Sequence, residues 1–212
     1  MSIWGQDFLT TLLPNGSFVL SFKGMMDINK GMRGFVLVVI MLCFSLLGHS
    51  QQGEMQLSIK NFHSVDGQVY RSAQPSAKGF KQAEKAGLKT VLSLRKMKFD
   101  QRRIKKQSNL HILHFPLETK TIAYQDLLTA MVLIDEAQKP LLVHCRRGID
   151  RTGIVVATYR MLKHSWKKEK AIEEFLSPEF GYSEKLFPNV LQLLRSVNPN
   201  QLKKDFEERK AN

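Results

Sequence analysis

The sequence predicts an α/β domain, and three observations support this prediction. Short apolar runs bounded by turn-forming residues recur along the chain, as expected of buried strands. Between them lie longer stretches in which apolar residues recur at helical spacing. At one junction the apolar run Pro140–Val143 leads through a glycine-containing turn into a helical stretch over Thr152–Leu162. Strands that alternate with helices in this way are typical of α/β folds.

The first predicted elements are a strand, a helix and a second strand. The first strand includes Val69, and a helix over about residues 76–86 begins at Ser76, which is a favourable N-cap residue. Gly87 ends this helix, and a buried strand follows at Thr90–Leu94. The later elements are a strand over Ile112–Leu117, a helix over Tyr124–Gln138, a helix that contains Trp166, Ala171 and Glu174, and two closing helices over Ser183–Val197 and Asn200–Lys210. Pro188 is expected either to kink the first closing helix or to start it.

The first 50 residues predict a leader and a secretory signal peptide. Lys30 and Arg33 precede the thirteen residues Phe35–Leu47, which are apolar with one exception. A short basic region, an apolar core of this length and small residues before a cleavage site near Ser50 are features of a signal peptide. The run is shorter than the roughly 20 residues of a membrane-spanning helix. We therefore expect export to the periplasm or the exterior, with an uncleaved N-terminal anchor as the alternative, and a single domain over residues 51–212.

Charge and cysteine content narrow the function further. The chain has a net charge of +13, and residues 51–212 carry +12 of it. Such an excess attracts anions, so we expect either solvated helix faces or a basic rim for a phosphorylated ligand or an anionic membrane surface. We expect no nucleic-acid partner, because no recognised binding motif accompanies the basic clusters. Residues 51–212 contain one cysteine, Cys145, so no disulfide within this part of the chain can block it.

The ten residues His144–Gly153 predict a phosphate-binding loop that carries a nucleophile. Cys145 and Arg151 stand six positions apart, on either side of Gly148, between the predicted strand and helix. Backbone N–H groups of such a turn and the helix dipole converge on an anion, and they favour the nucleophilic thiolate form of a cysteine. Arg151 can bind two phosphate oxygens at once, and we expect the Thr152 hydroxyl to hydrogen-bond the sulfur. The expected phosphate-binding residues are Arg146, Arg147, Gly148, Ile149, Asp150, Arg151 and Thr152, with Cys145 attacking phosphorus to form a cysteinyl-phosphate.

This loop resembles the active-site loop of the protein tyrosine phosphatase superfamily, on its dual-specificity side. The segment Val69–Ser76, followed by Ala86–Arg95, is similar to the entry segment of small bacterial dual-specificity-like phosphatases and of the atypical plant and fungal enzymes. The resemblance covers about residues 62–196. It implies a central, mostly parallel β-sheet flanked by helices, a site at the carboxyl end of a strand, and phosphatase activity.

The resemblance also implies a general acid on a loop about 30 residues before the cysteine, commonly an aspartate. This chain has Glu118 there and no aspartate. Asp150 is an equal candidate, because the myotubularin lipid phosphatases carry an aspartate at the matching position of their loop, and Asp100 is a third candidate. In the alternative interpretations, Glu118 is a solvated carboxylate and Asp150 is a structural partner of an arginine.

We expect no cofactor and no metal. The histidines outside the loop lack the spacing of metal ligands, such as two histidines four positions apart on a helix. We expect the ring of His144 to hydrogen-bond the loop backbone and hold the cysteine in place.

The sequence leaves the substrate open. Arg146 and Arg147 are similar to the lysine and arginine of the atypical enzymes that act on inositol pyrophosphates, but this chain has Ile149 and Asp150 where those enzymes carry Lys-His. We expect a phosphorylated protein or a polyanionic phosphorylated small molecule, with phosphotyrosine, phosphoserine, phosphothreonine, phosphoinositides and inositol polyphosphates as the classes. Two other functions stay open: a non-catalytic phosphate-binding module of the same fold and a rhodanese-type sulfurtransferase. The histidine before the cysteine and the Arg-Thr-Gly sequence after the loop argue against the sulfurtransferase. The oligomeric state is not predicted.

Overall fold

The structure, a computed structural model, describes residues 10–12, 18–20, 55–97, 100–104 and 108–211 of the chain. Contacts divide the chain into residues 1–52 and residues 53–212. In the first part, strand β1 (Thr10–Leu12) pairs in antiparallel register with strand β2 (Phe18–Leu20). The apolar core and cleavage site of the predicted signal peptide lie outside the described residues, so export stays a prediction. Among the residues that are described, no helix has both the length and the apolar character needed to cross a membrane.

A five-stranded sheet forms the centre of the second part. Its strands are β3 (His63–Ser64), β4 (Val69–Ala73), β5 (Thr90–Ser93), β6 (His111–His114) and β7 (Leu141–Cys145). They lie in the order β3-β4-β7-β5-β6. The β3–β4 pair is antiparallel, and the pairs β4–β7, β5–β7 and β5–β6 are parallel. The predicted central, mostly parallel sheet is therefore confirmed.

Helices connect and cover these strands. They are α1 (Ala77–Lys85), α2 (Asp100–Arg103), α3 (Tyr124–Glu136), α4 (Asp150–Lys163), α5 (Lys168–Leu176), α6 (Pro188–Ser196) and α7 (Pro199–Ala211). As predicted, α1 follows Ser76, whose hydroxyl accepts a hydrogen bond from the backbone N–H of Gly79 at 3.1 Å. Helix α4 begins at Asp150, two residues earlier than predicted. Helix α6 begins at Pro188, the second of the two starts that the sequence allows, because proline is well suited to the first turn of a helix.

Successive side chains of β7 enter two different cores. Leu141, Val143 and Cys145 pack into the larger core with residues of α3 to α7. Leu142 packs into the smaller core, which contains Phe80 of α1. This alternation follows from the two-residue period of a strand, and it places neighbouring residues of the predicted site on opposite faces of the sheet. Each fully buried large aliphatic side chain contributes about 1.5–3 kcal/mol to this packing.

The order of the strands brings three loops to one edge of the sheet. Strand β7 is central, between β4 and β5, and runs parallel to both. The backbone N–H of Leu94, just after β5, donates to the carbonyl of His144 at 2.8 Å. The backbone N–H of Gln74, just after β4, donates to the carbonyl of Arg146 at 3.3 Å. Open α/β sheets generally bind ligands at this carboxyl edge.

Candidate active site

The loop from Cys145 to Arg151 joins the end of β7 to the first turn of α4. Cys145 is the last residue of the strand and is 1% exposed. Gly148, in the middle of the loop, has a φ of +74°, which favours glycine. A Cβ atom at this position would lie 2.5 Å from the backbone nitrogen of Ala73 and 2.5 Å from the carbonyl carbon of Ser72. The loop therefore needs glycine both for its conformation and for its close approach to β4.

Three successive carbonyl groups of the loop point outward. The Arg146 carbonyl accepts from the Gln74 backbone, as above. The Arg147 carbonyl accepts a hydrogen bond from Asn61 Nδ2 at 2.9 Å, and the Gly148 carbonyl accepts one from Arg71 Nη2 at 3.1 Å. In a trans peptide the N–H of the next residue points away from the carbonyl. The N–H groups of residues 147, 148 and 149 are therefore directed to the inner side of the loop, which makes a concave site for an anion.

Arg151 links the loop to two other segments. Its Nη1 donates to the carbonyl of Leu94 at 3.3 Å and to the carbonyl of Leu117 at 3.1 Å. Its Nε is buried and has no hydrogen-bond partner among the described residues. The guanidinium is thus held in place from one side while other donors are left for a ligand.

The predicted hydrogen bond of Thr152 is not formed. The residue is fully buried in the first turn of α4. Its hydroxyl makes no hydrogen bond with any residue that the structure describes, including Cys145. The predicted hydrogen bond from this hydroxyl to the sulfur is therefore absent from this structure, and its formation during the reaction stays a prediction.

His144 contacts the loop backbone and also a carboxylate that the sequence offered only as an acid. Its Nδ1 lies 3.3 Å from the carbonyl oxygen of Cys145. Its Nε2 lies 3.4 Å from Oδ2 of Asp100, which is close enough for electrostatic attraction but is not aligned as a hydrogen bond. Asp100 also accepts hydrogen bonds from Ser93 Oγ at 2.5 Å and from Gln74 Nε2 at 2.7 Å.

This network makes Asp100 a poor proton donor. Burial alone raises the pKa of Asp100, but the electrostatic attraction of His144 and the hydrogen bonds from Ser93 and Gln74 outweigh it and lower the pKa to about 2. The carboxyl group is therefore ionised at neutral pH. Its position suits a structural anchor between β4, β5 and β7.

The other two acid candidates differ in their surroundings. Glu118 is half-exposed and lies 3.2 Å from Lys96 Nζ, and this hydrogen bond and charge lower its pKa, with a smaller effect from Arg151. Asp150 is buried, with Oδ2 3.0 Å from Arg147 Nη2 and with Oδ1 lacking a partner among the described residues. Asp150 thus has the arginine partner of its structural interpretation, and Glu118 has the more accessible carboxylate.

The segment that carries Glu118 is fixed at both of its ends. Arg151 binds the carbonyl of Leu117, as described above. Asn189, in the first turn of α6, donates from Nδ2 to the carbonyls of Thr119 at 2.8 Å and Lys120 at 3.3 Å. Glu118 is therefore presented from a segment whose backbone is tied to the phosphate-binding loop on one side and to α6 on the other.

Positive charge gathers around the loop. Burial lowers the pKa of Arg95, Asp100 raises it, and the charges of Arg103, Arg146 and Arg151 lower it again. These four arginines therefore lie close enough to interact. Arg146 and Arg147 are exposed in the loop itself. Three further lysines nearby in the sequence, Lys98, Lys105 and Lys106, lie outside the described residues.

Several residues that shape this site were not predicted. Two of them, Arg71 and Asn61, bind carbonyls of the phosphate-binding loop. The third, Asn189, binds carbonyls of the segment that carries Glu118. All three are distant from these segments in the sequence. For Arg71 a signal was present, since a charged residue stands inside an otherwise buried strand. For Asn61 and Asn189 no sequence pattern marks the contact. Within the described part of the chain, no group of three or more His, Cys, Asp or Glu side chains could hold a metal ion.

A comparison with known protein families identifies the family of this chain. Residues 56–205, more than half of the chain, match the tyrosine phosphatase family. The chain belongs to the tyrosine phosphatase family. The predicted family is therefore confirmed, and the matched region includes the whole loop and all strands of the five-stranded sheet.

Two curated relatives and one solved structure extend this result. The dual specificity protein phosphatase TpbA of Pseudomonas aeruginosa is 30% identical over 123 residues, which cover 57% of this chain and 56% of that protein. The inositol diphosphatase DSP5 of Arabidopsis thaliana is 27% identical over 138 residues, which cover 61% of this chain and 67% of that protein. A crystal structure of a TpbA variant from P. aeruginosa in complex with phosphotyrosine has a TM-score of 0.65 at 25% identity, covering 74% of this chain and 99% of that one. The match to TpbA thus spans little more than half of that protein's length.

Proposed function

We propose that this family member is a cysteine-dependent phosphatase that hydrolyses phosphate monoesters through a cysteinyl-phosphate intermediate. The observation that carries the proposal is the direction of the loop peptides. Three outward carbonyls leave three N–H groups for the oxygens of one phosphoryl group, between the nucleophile Cys145 and the guanidinium of Arg151.

The first step of the proposed reaction transfers the phosphoryl group to sulfur. The Cys145 thiolate attacks phosphorus, an S–P bond forms, and the bond from phosphorus to the leaving oxygen breaks. The leaving oxygen takes a proton from a general acid. Arg151 and the loop N–H groups stabilise the charge on the three equatorial oxygens, which is the main contribution a protein can make to phosphoryl transfer.

The second step returns the enzyme to its starting state. Water attacks phosphorus, the S–P bond breaks with its electron pair returning to sulfur, and the carboxylate that lost its proton accepts one from the water. Inorganic phosphate then leaves. The same carboxyl group acts as acid in the first step and as base in the second.

We propose Glu118 as this carboxyl group. Asp150 is engaged by Arg147, and Asp100 is ionised and bound in its buried network. Glu118 is paired with the exposed Lys96 side chain, at a position where a substrate phosphate can compete for the lysine. When Lys96 binds the substrate phosphate instead of Glu118, the pKa of Glu118 rises, and the negative charge of the phosphate raises it further. Both changes favour the protonated form that a general acid needs.

The proposed substrates are phosphoproteins or small molecules that carry several phosphates. The relatives include an inositol diphosphatase and a phosphatase variant crystallised with phosphotyrosine. The cluster of Arg95, Arg103 and Arg146 supports a ligand with negative charge beyond the reacting phosphate. The Arg147–Asp150 ion pair offsets one positive charge of the loop, which favours fewer flanking phosphates than a loop with Lys-His at residues 149–150 would.

The test is hydrolysis of p-nitrophenyl phosphate and of a phosphotyrosyl peptide by the purified protein, with EDTA present. We expect activity that vanadate inhibits. Cys145→Ser should abolish it, and Arg151→Lys should lower kcat/KM on the order of 10³-fold. Arg195→Lys, at an exposed ion pair on α6, is the matched control and should keep wild-type activity.

Mass spectrometry separates the proposed mechanism from its alternatives. Acid quenching during turnover should leave one phosphoryl group on the peptide that contains Cys145. A Cys145→Ser variant that turns over near the wild-type rate would rule out the covalent mechanism. Tight phosphate binding by the wild type without turnover would instead identify a non-catalytic module, and sulfur transfer from thiosulfate to cyanide would identify a rhodanese.

A further inference from the structure

Arg71 is a buried cation that the mechanism above does not use. It lies in the middle of β4 and is 2% exposed, and it ranks among the largest fully buried side chains of the described residues. Through the strand's two-residue period it points to the same face of the sheet as Val69, which packs in the larger core with Cys145. A guanidinium in this position is costly to bury unless its charge is compensated.

The contacts of Arg71 are directed at the phosphate-binding loop. Its Nη2 donates to the Gly148 carbonyl, and its guanidinium carbon lies 3.8 Å from the ring centroid of Phe180. A Cβ atom on Gly153, in the first turn of α4, would lie 3.7 Å from the same Nη2. The guanidinium therefore lies behind the loop and beside the start of the helix.

Arg71 has no carboxylate partner at ion-pair distance among the described residues. Glu174 has the largest effect of any negative charge on Arg71, but its two oxygens bind Arg160 at 3.0 and 3.2 Å. The Nε of Arg71 has no hydrogen-bond partner within the described part of the chain. Burial lowers the pKa of Arg71 to about 10, and the negative charges of Glu174, the Cys145 thiolate and Glu179 oppose this, while Arg160 adds to it. Arg71 is therefore still charged at neutral pH, and Cys145 is one of the groups whose negative charge, in the thiolate form, would compensate it.

We propose that Arg71 is a positioning residue of the reaction: it stabilises the thiolate form of Cys145 from behind the loop and holds the Gly148 carbonyl away from the bound phosphate. The second effect directs the N–H of Ile149 into the site, because the two groups belong to one peptide. The proposal deepens the proposed function and rests on it, since a stabilised thiolate serves the attack on phosphorus.

The reactivity of Cys145 with iodoacetamide, measured as a function of pH, tests the proposal without any phosphatase assay. Arg71→Met keeps the unbranched stem of the side chain as far as the position of Nε and removes the charge and the donors. We expect the alkylation rate at pH 6 to fall about tenfold, because a smaller fraction of Cys145 is then in the reactive thiolate form. Arg71→Lys keeps the charge and should keep most of the wild-type profile, while kcat falls because lysine cannot reproduce the planar contact to both Phe180 and Gly148.

Arg160→Met is the matched control. Arg160 is also partly buried, donates to a backbone carbonyl (that of Val65, at 2.7 Å) and lies over an aromatic ring (Trp166, 4.4 Å), but it does not contact the loop. Its loss should lower the free energy of unfolding and leave the alkylation profile unchanged. The remaining charged groups near the loop, Asp100, His144, Asp150 and Arg151, are the same in all of these proteins.

The outcomes of these experiments distinguish a positioning role of Arg71 from a purely structural one. A folded Arg71→Met protein whose alkylation profile matches the wild type would overturn the proposal and leave Arg71 with a purely structural role. Should Arg71→Met fail to fold, Arg71→Lys decides: a folded lysine variant with wild-type kcat refutes the positioning role, and one with a tenfold loss in kcat and an unchanged profile supports it. If the wild type hydrolyses no phosphate ester, the proposed function fails, while the alkylation profiles still report on Arg71.

Discussion

Replacement of Gly148 by alanine tests the loop geometry most directly. Alanine at a φ of +74° costs about 1–2 kcal/mol relative to glycine, because its Cβ crowds its own backbone. In addition, this Cβ would lie 2.5 Å from the backbone of β4, so the loop must retreat by about 1 Å to reach ordinary carbon contact distances. Such overpacking costs about a further 1–3 kcal/mol. We therefore expect Gly148→Ala to lower the free energy of unfolding by about 2–5 kcal/mol.

The same displacement should reduce catalysis in the molecules that stay folded. A retreat of the loop from β4 breaks the hydrogen bond from Arg71 to the Gly148 carbonyl and shifts the inward N–H groups. A misplacement of about 1 Å lowers turnover by about 10²-fold. Urea unfolding followed by circular dichroism gives the stability, and p-nitrophenyl phosphate hydrolysis at low urea gives kcat.

Gly67→Ala is the control that isolates the crowding of β4. Gly67 has a φ of +78°, and a Cβ there meets no atom within 4 Å. Only the conformational cost of about 1–2 kcal/mol applies, and kcat should equal that of the wild type. Equal stability and equal kcat for the two alanine variants would show that the close approach of Gly148 to β4 has no energetic consequence.

Three further predictions concern the acid, the buried network and the N-terminus. Glu118→Gln should reduce kcat strongly on an alkyl phosphate and weakly on p-nitrophenyl phosphate, since only the poor leaving group needs a proton; an equal loss on both substrates, with Asp150→Asn showing the selective loss instead, would reassign the acid. Because the pKa of Asp100 is lowered from 3.8 to about 2, its ionised form contributes stability, up to about 2 kcal/mol, that is present above about pH 4 and is lost as the pH falls toward 2. The difference in urea unfolding free energy between wild type and Asp100→Asn should therefore shrink over that range, and a difference that does not vary with pH would contradict the lowered pKa. N-terminal sequencing of the protein recovered from the periplasm or medium should begin near residue 51, and an intact N-terminus in the membrane fraction would indicate the anchor instead.

The parts of the site that are local in sequence could be predicted, and those that depend on neighbouring strands could not. Strand β7, the loop and α4 follow one another within about twenty residues, so apolar pattern and motif together defined them. The roles of Arg71 and Asp100 depend on β4 and β5 flanking β7, an order that no pattern in a single strand reveals. Strand β3 has only two residues, too few for a periodic signal, and Asn61 just before it reaches the loop only because the β3–β4 pair closes that side of the sheet.

The surroundings of the general-acid candidates also depend on contacts between distant segments. The spacing of Glu118 from the cysteine made it a candidate, but its pairing with Lys96 becomes visible only when the segments after β5 and β6 meet. Asp150 and Arg147 are three residues apart, so their ion pair is local in the sequence. The sequence does not show which way the two side chains point, because that depends on the conformation of the loop before the helix.

The central position of β7 in the sheet determines how the active site responds to substitutions in other parts of the domain. A strand bonded on both edges and packed on both faces exchanges its amide hydrogens only when the whole domain unfolds. Cys145 is the last residue of such a strand, and the neighbouring strands bind the loop that follows. Core substitutions far from the site should therefore change how many molecules are folded but not the turnover of each folded molecule. Native-state hydrogen exchange should show the amides of Leu142 and Val143 among the slowest in the chain, protected by the same free energy that keeps the nucleophile in place.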